Sequence, residues 1–231
     1  MKHHDPLPAL PLFQVMKAAD RRRLERELKE ARYRKGEYIF REGDPAEYFH
    51  ILKEGSVKCV KPSPEGNDVT LKLLMPGDLF CCDAAVFDGA PHPGCAMCLD
   101  DVTVWRLDKK AYFDMLRRNP DAALEVIRYL GHRLKEAQER AKLLTPDKAE
   151  QRLASLLVDL VRRSSKPDGT GFRLTVHLTR EDLANMVGIR TETAIRLMSQ
   201  FKRHRLVDGT AKRLIILDLP RLQRVASMTP V

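Results

Sequence analysis

The stretch Leu178–Val207, LTREDLANMVGIRTETAIRLMSQFKRHRLV, decides how the rest of the chain is read. It predicts two short helices joined by a glycine turn. Thr179 and Asp182 stand three apart ahead of an apolar run, the T-x-x-D form of a helix start. Leu183, Ala184 and Val187 give the first helix an inner face. Gly188 ends it, because a turn that needs positive φ suits glycine. The second helix runs from about Arg190 to Lys202, with Ala194, Leu197, Met198 and Phe201 inward and Glu192, Ile195, Arg196, Ser199 and Arg203 outward. This is a helix-turn-helix whose second helix offers donors and acceptors to a partner outside.

Glu192 and Arg196, four apart, have two readings. One is an ion pair on a solvated helix face. The other is base reading, in which the guanidinium forks onto guanine O6 and N7 while the carboxylate accepts from a cytosine amine. The surroundings favour the second. Thr179, Arg180, Arg190, Thr191, Lys202 and Arg203 are candidates for phosphate contacts that set register, and Lys212 and Arg213 add to them from a hairpin beyond the helix.

The run V-G-I-R-T-E-T-A-I-R, Val187 to Arg196, resembles the recognition helix of the Crp/Fnr family of bacterial transcription factors, which carries E-x-x-x-R after a V-G turn. Glu192 and Arg196 match that pattern, and the resemblance implies a G·C pair at the centre of the half-site. Ile195 departs from the small residue found in relatives. It is a candidate base reader through a thymine methyl, or it packs on Ser199. Thr191 departs from the branch that has arginine before the glutamate.

Charge agrees with a polyanion partner. The chain has 231 residues and a formal charge of +9. From Pro146 onward there are 16 Lys and Arg against 9 Asp and Glu, whereas the first 145 residues hold 25 against 23. A basic end on a nearly neutral front suggests a nucleic-acid module at the C-terminus. No apolar run approaches the roughly 18 residues of a membrane span, and no secretory signal is evident. Five cysteines, an odd number, point to a reducing cytoplasm rather than a disulfide framework.

Before the helix-turn-helix the period changes twice. Pro11 to Glu30 reads as an entry segment and helix. From Ala31 to Asp108, glycine and proline turns punctuate short β-rich runs, which suggests a barrel or sandwich. KGEYIFREGD at Lys35–Asp44 and FHILKEGSVK at Phe49–Lys58 resemble the cyclic-nucleotide-binding jelly roll of the same family. Ala111 to Arg118 forms a short helix. Ala123, Ile127, Leu130, Leu134, Ala137, Ala141 and Leu144 then recur at alternating spacings of four and three. That narrow heptad seam predicts a homodimer, against the alternative of a helix packed on its own barrel. Thr145-Pro146 is the expected hinge. Ala149 to Arg163 is helical, Ser164 to Gly171 is a polar loop, and Arg173 to Leu178 is a strand. A wing hairpin and a last short helix close the chain.

The resemblance also implies an effector in the barrel. In the cyclic-nucleotide branch a Gly-Glu pair holds the ribose and an Arg-Ser pair the phosphate. Here Cys82-Asp83 and His92-Pro93 stand near those positions, and neutral histidine is a poor substitute for a permanent forked cation. Cyclic AMP is therefore disfavoured. Cys81, Cys82, Cys95 and Cys98 are candidate ligands for a metal, or small core residues. Cys95 and Cys98 fall on opposite faces of a strand, which spoils a chelate. Haem, an iron–sulfur cluster and a small organic effector are all open, although the chain lacks the N-terminal cysteine group of the family's oxygen-sensing branch.

The expected fold is α+β: a cyclic-nucleotide-binding-like β-jelly-roll barrel with an N-terminal helix over 1–108, a dimerisation helix and hinge over 109–145, and a winged helix-turn-helix over 146–231. The expected function is a non-enzymatic, homodimeric, sequence-specific transcription regulator that reads an inverted repeat in double-stranded DNA under an effector, redox or metal signal sensed in the barrel, with RNA polymerase as a further partner and no membrane association. The alternatives are a cupin-type metal enzyme, which lacks a paired-histidine motif here, and a nucleotide-binding subunit without DNA binding, which leaves Glu192 and Arg196 unexplained.

Overall fold

The N-terminal stretch expected as an entry segment and helix up to Glu30 holds α1 (Pro11–Gln14) and α2 (Ala18–Glu27), and strand begins earlier than expected, at Lys29. Leu28 ends α2 by adopting an extended conformation, φ −72° and ψ 129°. The computed structural model describes residues 11–62, 68–142, 149–169, 171–210 and 213–227. The expected hinge Thr145-Pro146, the seam residue Leu144 and the wing residue Lys212 lie outside that set. Two compact units emerge, one from 1–61 with 73–137 and the other from 138–231 with 62–72.

Eight strands come first in the chain: β1 (Lys29–Tyr33), β2 (Tyr38–Phe40), β3 (Tyr48–Glu54), β4 (Val57–Lys61), β5 (Val69–Leu74), β6 (Leu79–Phe80), β7 (Cys95–Cys98) and β8 (Val102–Asp108). They form two four-stranded sheets, ordered β1-β8-β3-β6 and β2-β7-β4-β5. Strand alternation sends successive side chains of β3 to opposite faces. Leu52 joins Val104, Phe80, Val57, Cys59, Ala96 and Cys98 in a cluster drawn from both sheets. Phe49 and Ile51 point the other way and meet Phe13, Leu24, Tyr112 and Met115 from the flanking helices. The β3–β4 turn requires Gly55. Its φ is +85°, and a Cβ there would come within 2.5 Å of the Asp101 carbonyl.

After β6 comes α3 (Cys82–Ala85), and after β8 come α4 (Lys109–Arg118) and α5 (Pro120–Lys142). The Asp108 carboxylate caps α4 by accepting from the Lys110 and Ala111 amides. Pro120 opens α5, where its missing N–H costs nothing. Ala122 and Val126 seat α5 on the cluster around Phe49. One turn on, the Tyr129 hydroxyl donates to the Leu79 carbonyl at 2.7 Å.

The second unit comprises α6 (Ala149–Arg163), β9 (Ser165–Asp168), β10 (Gly171–Leu174), α7 (Arg180–Val187), α8 (Thr191–Arg203), β11 (Val207–Thr210), β12 (Arg213–Ile216) and α9 (Leu219–Ser227). The segment expected as a polar loop and then a strand is a hairpin, β9–β10, whose second strand ends at Leu174. Pro167 is tolerated because β9 is an edge strand of the sheet β11-β12-β10-β9.

A polar pair is buried in the barrel. His50 is 4% exposed, and its Nδ1 lies 3.1 Å from Cys81 Sγ. Burial, then the nearby His92 and Arg106 charges, lower the His50 pKa to about 3, with a backbone hydrogen bond to Tyr48 opposing. The unfolded imidazole takes up a proton near pH 6.5 that the folded one refuses. Stability is therefore full above that pH and falls as pH drops toward 3. The slope contributed by this one group approaches about 1.4 kcal/mol per pH unit. Denaturant titrations followed by fluorescence of Trp105, the single tryptophan, are expected to show this fall, and His50→Gln is expected to flatten it.

Candidate nucleic-acid interface

The local geometry of α7 follows from its cap. The Thr179 hydroxyl accepts from the Asp182 amide at 3.0 Å, and the Asp182 carboxylate accepts from the Thr179 amide at 2.9 Å. This reciprocal box satisfies two helix-end donors. Thr179 also donates its hydroxyl proton to Asp182 at 2.7 Å, so the side chain proposed for phosphate is engaged within the cap. Gly188 ends the helix at φ 65° and ψ 49°, the left-handed region, and the Ile189 amide folds back to the Ala184 carbonyl. The chain then enters α8 through Arg190, which is extended and makes no side-chain cap.

The faces of α8 divide cleanly. Ala194, Leu197, Met198 and Phe201 are buried. Glu192, Ile195, Arg196, Ser199 and Arg203 are exposed, and Ile195 keeps 49% of its surface. The Ser199 hydroxyl donates to the Ile195 carbonyl at 2.9 Å, so it turns back onto the helix. Among the described residues neither Glu192 nor Arg196 has an ion-pair or side-chain hydrogen-bond partner. The i,i+4 ion pair weighed from the sequence is not formed. A carboxylate and a guanidinium one turn apart stay available to an outside partner.

The basic surround is partly spoken for. Lys202 pairs with Asp208 at 2.8 Å, and this contact lowers the Asp208 pKa. Arg213 pairs with Asp168 at 3.2 Å, and Arg173 approaches the same carboxylate. Arg190 and Arg203 are exposed and Thr191 is half-buried. Arg180 is half-buried, its Nη1 has no hydrogen-bond partner among the described residues, and desolvation lowers its pKa. Sequence reasoning missed Arg152. Its guanidinium donates from α6 to the Val187 carbonyl at 2.8 Å and the Gly188 carbonyl at 3.3 Å. The available signal was an arginine lying next to the buried stripe of Leu153 and Leu157.

In the barrel, Cys82 and Asp83 fall in α3, and their side chains lie outside the described residues. Cys81, which precedes them, holds φ at 74°, a conformation that favours glycine. His92 is buried and stacks on Phe40 with centroids 3.6 Å apart, while Phe80 stacks on His50. Pro93 is exposed, and its carbonyl accepts from Lys61. Among the expected thiol ligands, Cys98 faces the barrel cluster and burial pushes its pKa up to about 12. Cys95 accepts from the Glu42 amide and is not part of that cluster. Among the described residues no group of three or more His, Cys, Asp or Glu could hold a metal ion. The cysteines whose side chains are described are core residues in this geometry.

The two faces of α5 also separate. Ala122 and Val126 lie in the core, whereas Ile127, Leu130 and Leu134 are exposed, with Ile127 at 63% and Leu134 at 61%. Ala123 is half-buried and Ala137 exposed, and the side chain of Ala141 lies outside the described residues. The seam residues Ile127, Leu130 and Leu134 therefore point away from the barrel's own core. No helix among the described residues is long and apolar enough to cross a membrane.

Comparison with known proteins matches this layout. A cyclic nucleotide-binding domain model matches residues 30–119, and a Crp-like helix-turn-helix domain model matches residues 151–225. A CRP-like cAMP-activated global transcriptional regulator of Mycobacterium tuberculosis is 26% identical over 93% of this chain and 96% of its own. The fumarate and nitrate reduction regulatory protein of Vibrio cholerae is 26% identical over 84% of this chain and 77% of its own. The solved structure of FixK2 from Bradyrhizobium japonicum has the same fold, with a TM-score of 0.77 and 22% identity over 88% of this chain and 99% of that one. A strand-built domain matching the cyclic-nucleotide fold, followed by a Crp-like helix-turn-helix with its Glu and Arg exposed, places the chain in the Crp/Fnr family of DNA-binding transcription regulators.

Proposed function

We propose that the protein is a homodimeric, cytoplasmic regulator that reads an inverted repeat in double-stranded DNA, under the control of a signal received in the N-terminal barrel. The observation that carries this is the outward face of α8, where Glu192, Ile195 and Arg196 are exposed and the two charged groups have no partner within the described residues. Arg196 suits guanine O6 and N7, Glu192 a cytosine amine, and Ile195 a thymine methyl. Arg190, Thr191 and Arg203 would take phosphates, a role that the exposure of the two arginines supports. Arg180, Lys202 and Arg213 would join after exchanging their present surroundings for the backbone. The working division is a sensing barrel over 1–108, a dimerisation helix and hinge over 109–145, and a DNA-binding domain over 146–231. Engagement of RNA polymerase is part of the same proposal, and no enzymatic activity is.

The exposed Ile127, Leu130 and Leu134 support a two-fold dimer along α5. A two-fold axis would set two α8 helices roughly 34 Å apart, one DNA turn. The relative from Mycobacterium tuberculosis is described as cAMP-activated. The barrel here favours a different signal, because His92 stands where a phosphate-holding arginine is expected and is stacked against Phe40. A signal changes DNA affinity only by its own difference in affinity for the two states.

Two outcomes test the proposal. Arg196→Ala is expected to cost about 1–3 kcal/mol on the selected half-site and far less on unrelated duplex, measured by fluorescence anisotropy. Equal losses on both duplexes would remove base reading from Arg196. Leu130→Glu combined with Leu134→Glu is expected to halve the mass in sedimentation velocity and to abolish binding to the inverted repeat. A variant that stays dimeric would refute the α5 seam.

A further inference from the structure

The helix-turn-helix is held by more than its own two helices. Arg152, on the first turn of α6, is 9% exposed and aims its guanidinium at the end of α7. Nε donates to the Val187 carbonyl at 2.8 Å and Nη2 to the Gly188 carbonyl at 3.3 Å. These carbonyls form the turn that leads into α8. The end of a helix carries partial negative charge and unsatisfied acceptors, so a forked cation there is favourable. Two residues earlier, Glu150 accepts from the Gln200 side chain at 3.1 Å, near the other end of α8. One turn of α6 therefore ties both the entry and the far end of the reading helix.

We infer that Arg152 is a positioning residue for base recognition, with Gln200 as the second tie, and that together they set the angle at which α8 presents Glu192, Ile195 and Arg196. The inference rests on the DNA-reading function proposed above and assigns a residue that faces no DNA. The physical argument is geometric. Base contacts need donors placed to within a few tenths of an ångström, whereas phosphate contacts from long flexible side chains tolerate a small tilt. Releasing the turn carbonyls from Arg152 lets α8 pivot about the glycine at 188. Lysine would not replace arginine fully, because a single ammonium cannot span two carbonyls in a fixed fork.

The test uses the full-length protein and a duplex selected by the wild type from random sequence. Arg152→Met keeps volume and removes the donors. It is expected to weaken binding to the selected duplex on the order of tenfold or more, the loss of about one base contact. Binding to unrelated duplex should change within about twofold, and the salt dependence should keep its slope, because no phosphate contact is lost. Arg152→Lys should fall between the two proteins. Circular dichroism checks the fold. If Arg152→Met does not fold, Gln200→Leu carries the test, with a smaller loss of discrimination at an unchanged salt slope expected. Equal losses on both duplexes, or a slope shallower by about one ion, would overturn the positioning role. So would full discrimination in a folded Arg152→Met protein, or in Gln200→Leu where it carries the test. A wild type that selects no sequence would overturn the DNA-reading function itself, a result distinct from a selective wild type whose variants discriminate equally well.

Discussion

The burial of one side of α8 governs what the other side can do. Ala194, Leu197, Met198 and Phe201 leave water together, and each large apolar side chain contributes about 1.5–3 kcal/mol by doing so. A helix turns 100° per residue, so fixing that stripe fixes the direction of Glu192, Ile195 and Arg196 on the opposite face. Short, polar or β-branched residues fill the outer face without competing for the core. Ser199 is spent on the Ile195 carbonyl, which leaves an apolar patch between two charged readers. The face shown to a partner thus consists of a carboxylate, an alkyl group and a guanidinium on adjacent turns.

The same division of labour runs through α5. Its inner residues Ala122 and Val126 close the cluster that covers one side of the barrel, and Tyr129 adds a hydrogen bond to Leu79. Its outer residues form a separate stripe a third of a turn away. One helix can serve two interfaces because the narrow seam and the inner face use different heptad positions. The barrel, in contrast, turns its chemistry inward. Phe40, His50, Phe80 and His92 stack on one another, and Cys81 closes the group at 3.1 Å from His50. A neutral His50 suits that interior, because burial lowers its pKa to about 3.

The parts of the molecule that periodicity revealed are those that bury a continuous stripe. α5, α6 and α8 and the strands β3 and β8 have apolar residues at the spacing of their own geometry, and they are present as read. The strands that escaped notice are largely edge strands. β1 has the sequence KEARY and β9 the sequence SKPD, and neither contains an apolar alternation. They exist because β8 and β10 present unpaired backbone groups beside them. Hydrogen bonding to a neighbour that is distant in sequence leaves little trace in side-chain pattern, so such strands fall into the expected helix or loop.

What the amino-acid sequence determined by itself was local: the capping box of Thr179 and Asp182, the glycine at 188, the inner and outer stripes of α8, and the narrow seam of α5. Each is written in residues a few positions apart, where helix geometry alone settles which side chains share a face. Tertiary structure decided the rest. Among the described residues it left Glu192 and Arg196 without a side-chain partner, engaged Lys202 and Arg213 with Asp208 and Asp168, and set Arg152 against the α7–α8 turn. These are meetings between side chains and backbone that in most cases lie far apart along the chain, and such meetings depend on how whole elements pack.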